Sequence, residues 1–291
     1  MGKDWKNKYK ELLFNIDVPM SKVLEYIRPN VPKFLYKYRS FNGYWESVLF
    51  DGLLYFSDAI SLNDPFDCHV YVNEKVFCEI MNIIAYKYVF QNISYDEISR
   101  VYNPRICDNL NRVRQEVKRD IQLTCFSERV DSILMWSHYA DNHKGFCIEY
   151  DTEKIDLIYK RYLLPVIYQK EVYDYTMLAV QSDRSFILAM EYLNSDYNLN
   201  AVAKGVWIPL LIKAQEWYYE KEWRIILPSL FDDSSRLKDF GGAVNGVYLG
   251  ANCDCDNTDV LRVVSWAKEK GINVYRMHTQ TNKYELISSK L

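Results

Sequence analysis

The chain alternates between segments of helical and strand periodicity. Residues 1–30 set Leu12, Leu13, Val23, Leu24 and Ile27 among lysines and glutamates, an amphipathic helical lead-in that Pro32 breaks. FLYKYR over 34–39 reads as a first strand, followed by a helix over 44–50 that closes at Asp51-Gly52. LLYFS over 53–57 reads as a second strand. In SLNDPFDC over 61–68 the Asn-Asp-Pro run dictates a turn or loop. Helical spacing returns over 75–91 and 105–120, joined by a polar loop at 92–95, which predicts a helical insertion at about 74–120.

The stretch 124–150, TCFSERVDSILMWSHYADNHKGFCIEY, holds the densest set of polar side chains. Residues 124–127 favour a strand, Ser132 caps a helix over 133–142, and Gly145 ends it. Phe146, Ile148 and Tyr150 then alternate with Cys147 and Glu149, the pattern of a half-buried strand. Beyond it come a strand over 163–168, one or two long helices over 176–215, and a strand over 223–227 entered through 218–222. The tail predicts a strand over 244–249, a helix over 258–270, a strand over 272–279 and a short strand near 284–287. Repeats and linkers are lacking. The pattern predicts a single α+β domain over 1–291, with a mixed, mostly antiparallel sheet core, an N-terminal helix and the helical insertion.

Composition narrows the classes. A hydrophobic fraction of 49% with 15% aromatic excludes global disorder. The net charge of −3 offers no general attraction to nucleic acid or to an anionic membrane. No apolar run approaches the roughly 18 residues of a membrane span. The seven cysteines are scattered and odd in number, as expected of reduced thiols, and Cys253-Asp254-Cys255 lacks the second pair of a zinc site. The opening MGKDWKNKYKELLF is charged and has no apolar core, so it reads as no signal peptide, and a cytoplasmic protein is expected. The 25 tyrosines fit either a ligand groove or the bias of AT-rich coding.

His138 and His143 are five residues apart, about 140° around a helix, which excludes an i, i+4 metal pair. With Glu149 beyond the turn, no metal is expected. His143-Lys144 at a helix end suits a ligand phosphate or the last helical carbonyls equally. Cys125 and Cys147 stand in apolar runs as small hydrophobes rather than nucleophiles. Only ten glycines are present, and a nucleophile elbow, a P-loop and a dinucleotide turn are all absent. On a strand, Glu220, Glu222 and Arg224 share one face, which fits ribose recognition and oxocarbenium stabilisation, or an ion network in which Arg224 pairs with Glu220 or Glu149. Asn63 and Asp64 satisfy a turn or contact a ligand, Trp136 reads as a core anchor, and His138 and Tyr139 fit either role.

Arg39-Ser40 after LYKY, Ser127 in TCFS and the Glu220-Lys221-Glu222 segment together resemble the three-part arrangement of arginine-type ADP-ribosyltransferases. That resemblance implies NAD as a substrate. Arg39, with Ser40, would anchor its phosphates, Ser127 would support the nicotinamide pocket, and Glu222 would hold the nicotinamide ribose with Glu220 beside the acceptor. The helix carrying His138 and Tyr139 and the His143-Lys144 turn would form one wall. The chain departs from the pattern in having only Thr124 and Ser127 where a Ser-Thr-Ser run stands.

Four motifs in order, LYKYRS, LLYFSDAISLNDPFDC, CFSE…MWSHYADNHKGFCIEYD and YYEKEWRII, resemble the bacterial domain-of-unknown-function family DUF2971. Members of that family are linked with abortive infection and phage defence. Two functions follow as expectations. The first is an enzyme that cleaves NAD and passes ADP-ribose to an unknown acceptor macromolecule, which requires Arg39, Ser127 and Glu222 in one cleft. The second is a non-catalytic module that senses a nucleotide-like small molecule, with the histidines, Trp136 and Glu149 mutually bonded and closed to solvent. A metal-dependent nuclease using NDPFD and Glu149 is disfavoured by the acidic balance and the lack of a basic stripe.

Overall fold

The computed structural model describes residues 4–90, 92–100, 121–182, 204–227 and 235–291. The helix expected over 105–120, and 183–203 of the helical stretch expected over 176–215, lie outside these residues. The chain divides into two compact units.

The first unit takes the described residues of Met1–Asn30, Asp58–Ile121 and Ile167–Gln215. The lead-in folds as two helices, Asp4–Phe14 and Met20–Ile27. Lys204, fully buried, donates from Nζ to the carbonyls of Leu12 and Asn15, satisfying acceptors that the end of the first helix leaves open. The helix Glu74–Ile84 is capped by Asn73, whose side chain accepts the Val76 N–H, and continues as a π-turn over Ala85–Val89. Asp64 accepts the Phe66 N–H at 2.9 Å through Oδ1, so the Asn63–Asp67 segment is the self-bonded turn its sequence predicts. Asp67 pairs with Lys213 at 3.3 Å, both buried.

The second unit takes Val31–Ser57, Gln122–Val166 and Glu216–Leu291. In chain order the strands of the molecule are β1 (Phe34–Arg39), β2 (Leu53–Tyr55), β3 (Ser57–Asp58), β4 (Gln122–Ser127), β5 (Phe146–Asp151) and β6 (Leu163–Pro165). There follow β7 (Ile167–Gln169), β8 (Ile212–Ala214), β9 (Glu222–Leu227), β10 (Leu237–Asp239), β11 (Val244–Leu249), β12 (Asn273–Thr279) and β13 (Leu286–Lys290). The main sheet runs β13-β12-β11-β5-β1-β4-β9-β6, with β3 beside β4. Only the β11–β12 pair is parallel among the registers determined for this sheet, so the fold is α+β with a mixed, mostly antiparallel sheet and an N-terminal helix.

Several features differ from expectation for tertiary reasons. The run 53–57 divides between two sheets, since β2 pairs with β10 while β3 pairs with β4. The run 163–168 divides likewise, with β6 on β9 and β7 on β8. β5 is buried along its whole length rather than on one face, because β1 and β11 flank it and both of its faces are covered. One cover consists of Phe41, Trp45 and Phe146 at one end and Phe56, Tyr150, Tyr159 and Phe240 at the other. The opposite cover is the helix Ile133–Tyr139, whose Met135 and Trp136 pack with Tyr38, Cys147 and Tyr248.

That helix begins where Ser132 caps the Met135 N–H but ends at Tyr139, not at 142. Asp141, Asn142 and His143 follow with φ of 47°, 53° and 67°, a left-handed run that Asp, Asn and His tolerate better than most residues. The turn is held from outside, by Gly250 N–H to the Gly145 carbonyl at 2.9 Å and Asn252 N–H to the His143 carbonyl at 3.0 Å. A Cβ on Gly145 would lie 2.1 Å from the Arg39 carbonyl oxygen, and one on Gly250 would lie 2.0 Å from the His143 carbonyl oxygen. Gly145→Ala is therefore expected to destabilise the protein by about 1–3 kcal/mol or more, since only backbone movement relieves the clash, and urea unfolding measures it.

Candidate functional site

Pairing registers sort the polar residues by sheet face, because directly opposed residues of antiparallel strands point the same way. Gly246, Glu149, Tyr36, Ser127 and Glu222 form one row across β11, β5, β1, β4 and β9. This row lies on the face of the helix Ile133–Tyr139, with Tyr38 and Cys147. Lys37 and Arg39 alternate with Tyr36 and Tyr38 along β1 and oppose Ile148 and Phe146, so they occupy the other face. The structure thus brings Ser127 and Glu222 together and sets Arg39 apart from both, correcting the expectation that the three converge. Arg39, with the half-buried Ser40 after it, ends β1 across the sheet from the acidic residues.

On the helix-covered face the acidic residues are occupied. Arg224 donates from Nε to Glu222 Oε1 at 2.7 Å and from Nη2 to Oε2 at 3.1 Å, both residues being buried. Arg224 thus pairs with Glu222, a partner that the sequence reading did not name. Cys125 lies against this pair, and burial first, then Glu222, pushes its thiol well above the ordinary value. Glu220 falls in the turn Gln215–Glu220 rather than on the strand, because Lys221 adopts φ 47° and breaks the alternation. The Glu220 carboxylate accepts the Tyr139 hydroxyl at 2.6 Å, and its carbonyl accepts the Ser127 hydroxyl at 2.6 Å.

Glu149 is held by neutral donors: Tyr36 and Tyr248 hydroxyls at 3.0 Å each on Oε2, and Asn245 Nδ2 at 2.6 Å on Oε1. It is separated from Glu222 by three strand spacings, about 14 Å at about 4.8 Å each, too far for paired carboxylates at one glycosidic centre.

The histidines act separately. His143 stacks on Trp136 at 6.4 Å, its Nε2 lies 3.1 Å from Ser137 Oγ, and burial lowers its pKa. Its N–H donates to the Trp136 carbonyl, the helix-end role that its position allows. Trp136 is fully buried with its indole N–H on the Val130 carbonyl, a core anchor. His138 is exposed, its Nδ1 2.8 Å from the Tyr219 hydroxyl, within an aromatic group that includes Trp217. Lys144 is exposed. Trp136 and His143 therefore do pack together, but Glu149 bonds to neither histidine and His138 stands open to solvent. Asn63 and Asp64 belong to the first unit.

The opposite face carries the pair that sequence reasoning half missed. Lys37 donates to Thr124 Oγ1 at 2.9 Å and to the Cys125 carbonyl at 2.7 Å, with its ammonium 5.3 Å from the Phe126 ring centroid. Arg39, two residues on, makes no hydrogen bond or ion pair among the described residues, and its Nε is buried without a partner. Burial, then the Arg39 charge, pushes the Lys37 pKa down to about 7, and burial also lowers that of Arg39. Among the described residues no carboxylate is bonded to either cation. The signal was the i, i+2 spacing of Lys37 and Arg39 in FLYKYR, which puts both on one face of a strand.

Residues 135–225 match the family described as Protein of unknown function (DUF2971). No curated protein and no solved structure gives a significant match to the chain. The DUF2971 match runs from the helix Ile133–Tyr139 to β9 and so includes Glu149, Glu220, Glu222 and Arg224, while Lys37 and Arg39 precede it. Among the described residues no helix is long and apolar enough to cross a membrane, and no group of three or more His, Cys, Asp or Glu could hold a metal.

Proposed function

We propose that the chain is a ligand-sensing module that binds a nucleotide-like anion, with a phosphate taken by Arg39 and Lys37. The observation that carries this reading is the cation pair on one face of β1, to which no carboxylate bonds among the described residues. Half-burying two like charges to which no acid bonds among the described residues opposes folding, and a bound anion offsets that cost. A setting in bacterial defence is carried into this proposal from the family resemblance alone.

Calorimetric titration with ADP, ADP-ribose, NAD and inorganic phosphate tests the reading. Saturable binding by the wild type that weakens in Arg39→Gln and Lys37→Gln is expected. Binding by none of them, or binding that survives both substitutions, overturns it.

A second reading, an NAD-cleaving ADP-ribosyltransferase-like enzyme that does without Arg39 in its cleft, is favoured by one observation: Ser127 and Glu222 are direct cross-strand neighbours. Nicotinamide release from labelled NAD by the wild type, lost in folded Glu222→Gln, supports that reading. Release unaffected by the substitution removes Glu222 from it.

A further inference from the structure

The loop between β11 and the helix Thr258–Lys270 carries Cys253 and Cys255, and Arg276 of β12 lies across both residues. Arg276 donates from Nη1 to Cys255 Sγ at 2.7 Å and from Nη2 to the Cys253 carbonyl at 3.3 Å. Cys255 is half-buried whereas Cys253 is 3% exposed. Asp254 and Asp256 flank Cys255, but the Asp254 carboxylate is turned onto the Asp256 N–H. The loop leads directly into the N-terminus of a thirteen-residue helix, which adds a positive partial charge.

We propose that Cys255 and Cys253 form a peroxide-reactive thiol pair, with Cys255 the sulfur attacked first and Cys253 the resolving thiol. The Cys255 thiolate attacks the hydroperoxide: an S–O bond forms, the O–O bond breaks, and the leaving oxygen takes a proton to become an alcohol or water. The Arg276 Nη1–H donates to the attacking Cys255 sulfur and holds it in place. Cys255 is then a sulfenic acid, oxidised by two electrons. The Cys253 sulfur attacks it, an S–S bond forms, the S–O bond breaks, and hydroxide leaves with the Cys253 proton as water. Residues i and i+2 have Cα atoms at most about 7 Å apart, within reach of a disulfide after slight closure.

The order of attack follows from the surroundings. Burial, then the neighbouring Cys255, pushes the Cys253 thiol up to about 11, so it is the poorer first nucleophile.

Peptide mass spectrometry of the full chain after stoichiometric hydrogen peroxide tests the assignment. The wild-type peptide is expected to lose two hydrogens as an internal disulfide that a dithiol reverses. Cys253→Ser is expected to accumulate a dimedone adduct at Cys255 instead. Arg276→Gln is expected to slow Cys255 oxidation at least about tenfold, with unchanged thermal melting excluding misfolding as the cause. Oxidation of Cys255 no faster than that of Cys125, or a rate unmoved by Arg276→Gln, overturns the proposal. If Arg276→Gln does not fold, the Cys253→Ser adduct alone decides, and its absence also overturns the proposal.

Discussion

Replacing Arg224 with methionine is expected to destabilise the protein by about 3–5 kcal/mol, the cost of removing the bidentate cation from a buried carboxylate. Arg224 is 0% and Glu222 5% exposed, so water cannot replace the lost donors. Chemical denaturation measures the loss. The double variant Glu222→Leu with Arg224→Met is expected to recover most of it, since a buried pair exchanged for apolar side chains is often neutral or better. A single variant as stable as the wild type would show that the bidentate bond contributes nothing. The same experiment bears on function, because a Glu222 that exists to clasp Arg224 is restored in stability by the double change.

Arg39→Gln is expected to weaken binding of the phosphate-bearing ligand by roughly tenfold to a hundredfold, the value of hydrogen bonds to a charged group at about 1.5–3 kcal/mol. Lys37→Met is expected to weaken it similarly while leaving the unliganded protein as stable as before, or up to about 1 kcal/mol more stable. The pH dependence has opposite signs for folding and for binding. Unfolded, Lys37 keeps its proton up to its ordinary value of 10.5, whereas folded it releases it near about 7. Between those limits the unfolded chain holds more protons, so this group makes stability rise with pH, and its burial penalty is present in full below about 7. An anion requires the charged lysine, so its affinity is expected to fall as pH rises through about 7. Arg39 opposes the lysine charge, while Cys125 and Glu222 favour it. Titrations across this window in wild type and Lys37→Met check the attribution, since the variant should lose the pH dependence.

Much of the architecture was legible in local pattern. FLYKYR became β1 with the expected bounds, and the cap at Ser132 operates as predicted. The α+β class and the mixed sheet also followed, because strand and helix periodicities report which side of each element meets the core. The helix end at Tyr139 was misread because Asp141 and Asn142 look compatible with helix until the 250–252 loop claims their turn. Splitting of 53–57 and 163–168 between sheets likewise depends on partners far along the chain.

The candidate site divides in the same way. That Lys37 and Arg39 share one face of a strand follows from local alternation, a property of any extended backbone. Only the tertiary structure decided that Ser127 and Glu222 lie on the other face, because face relations between strands depend on register. Only it decided that Glu222 bonds Arg224, that Glu149 bonds two tyrosines and an asparagine, and that Arg39 bonds no acid among the described residues. Charge satisfaction is a property of side chains brought together from distant segments, and no local pattern in this chain encodes it.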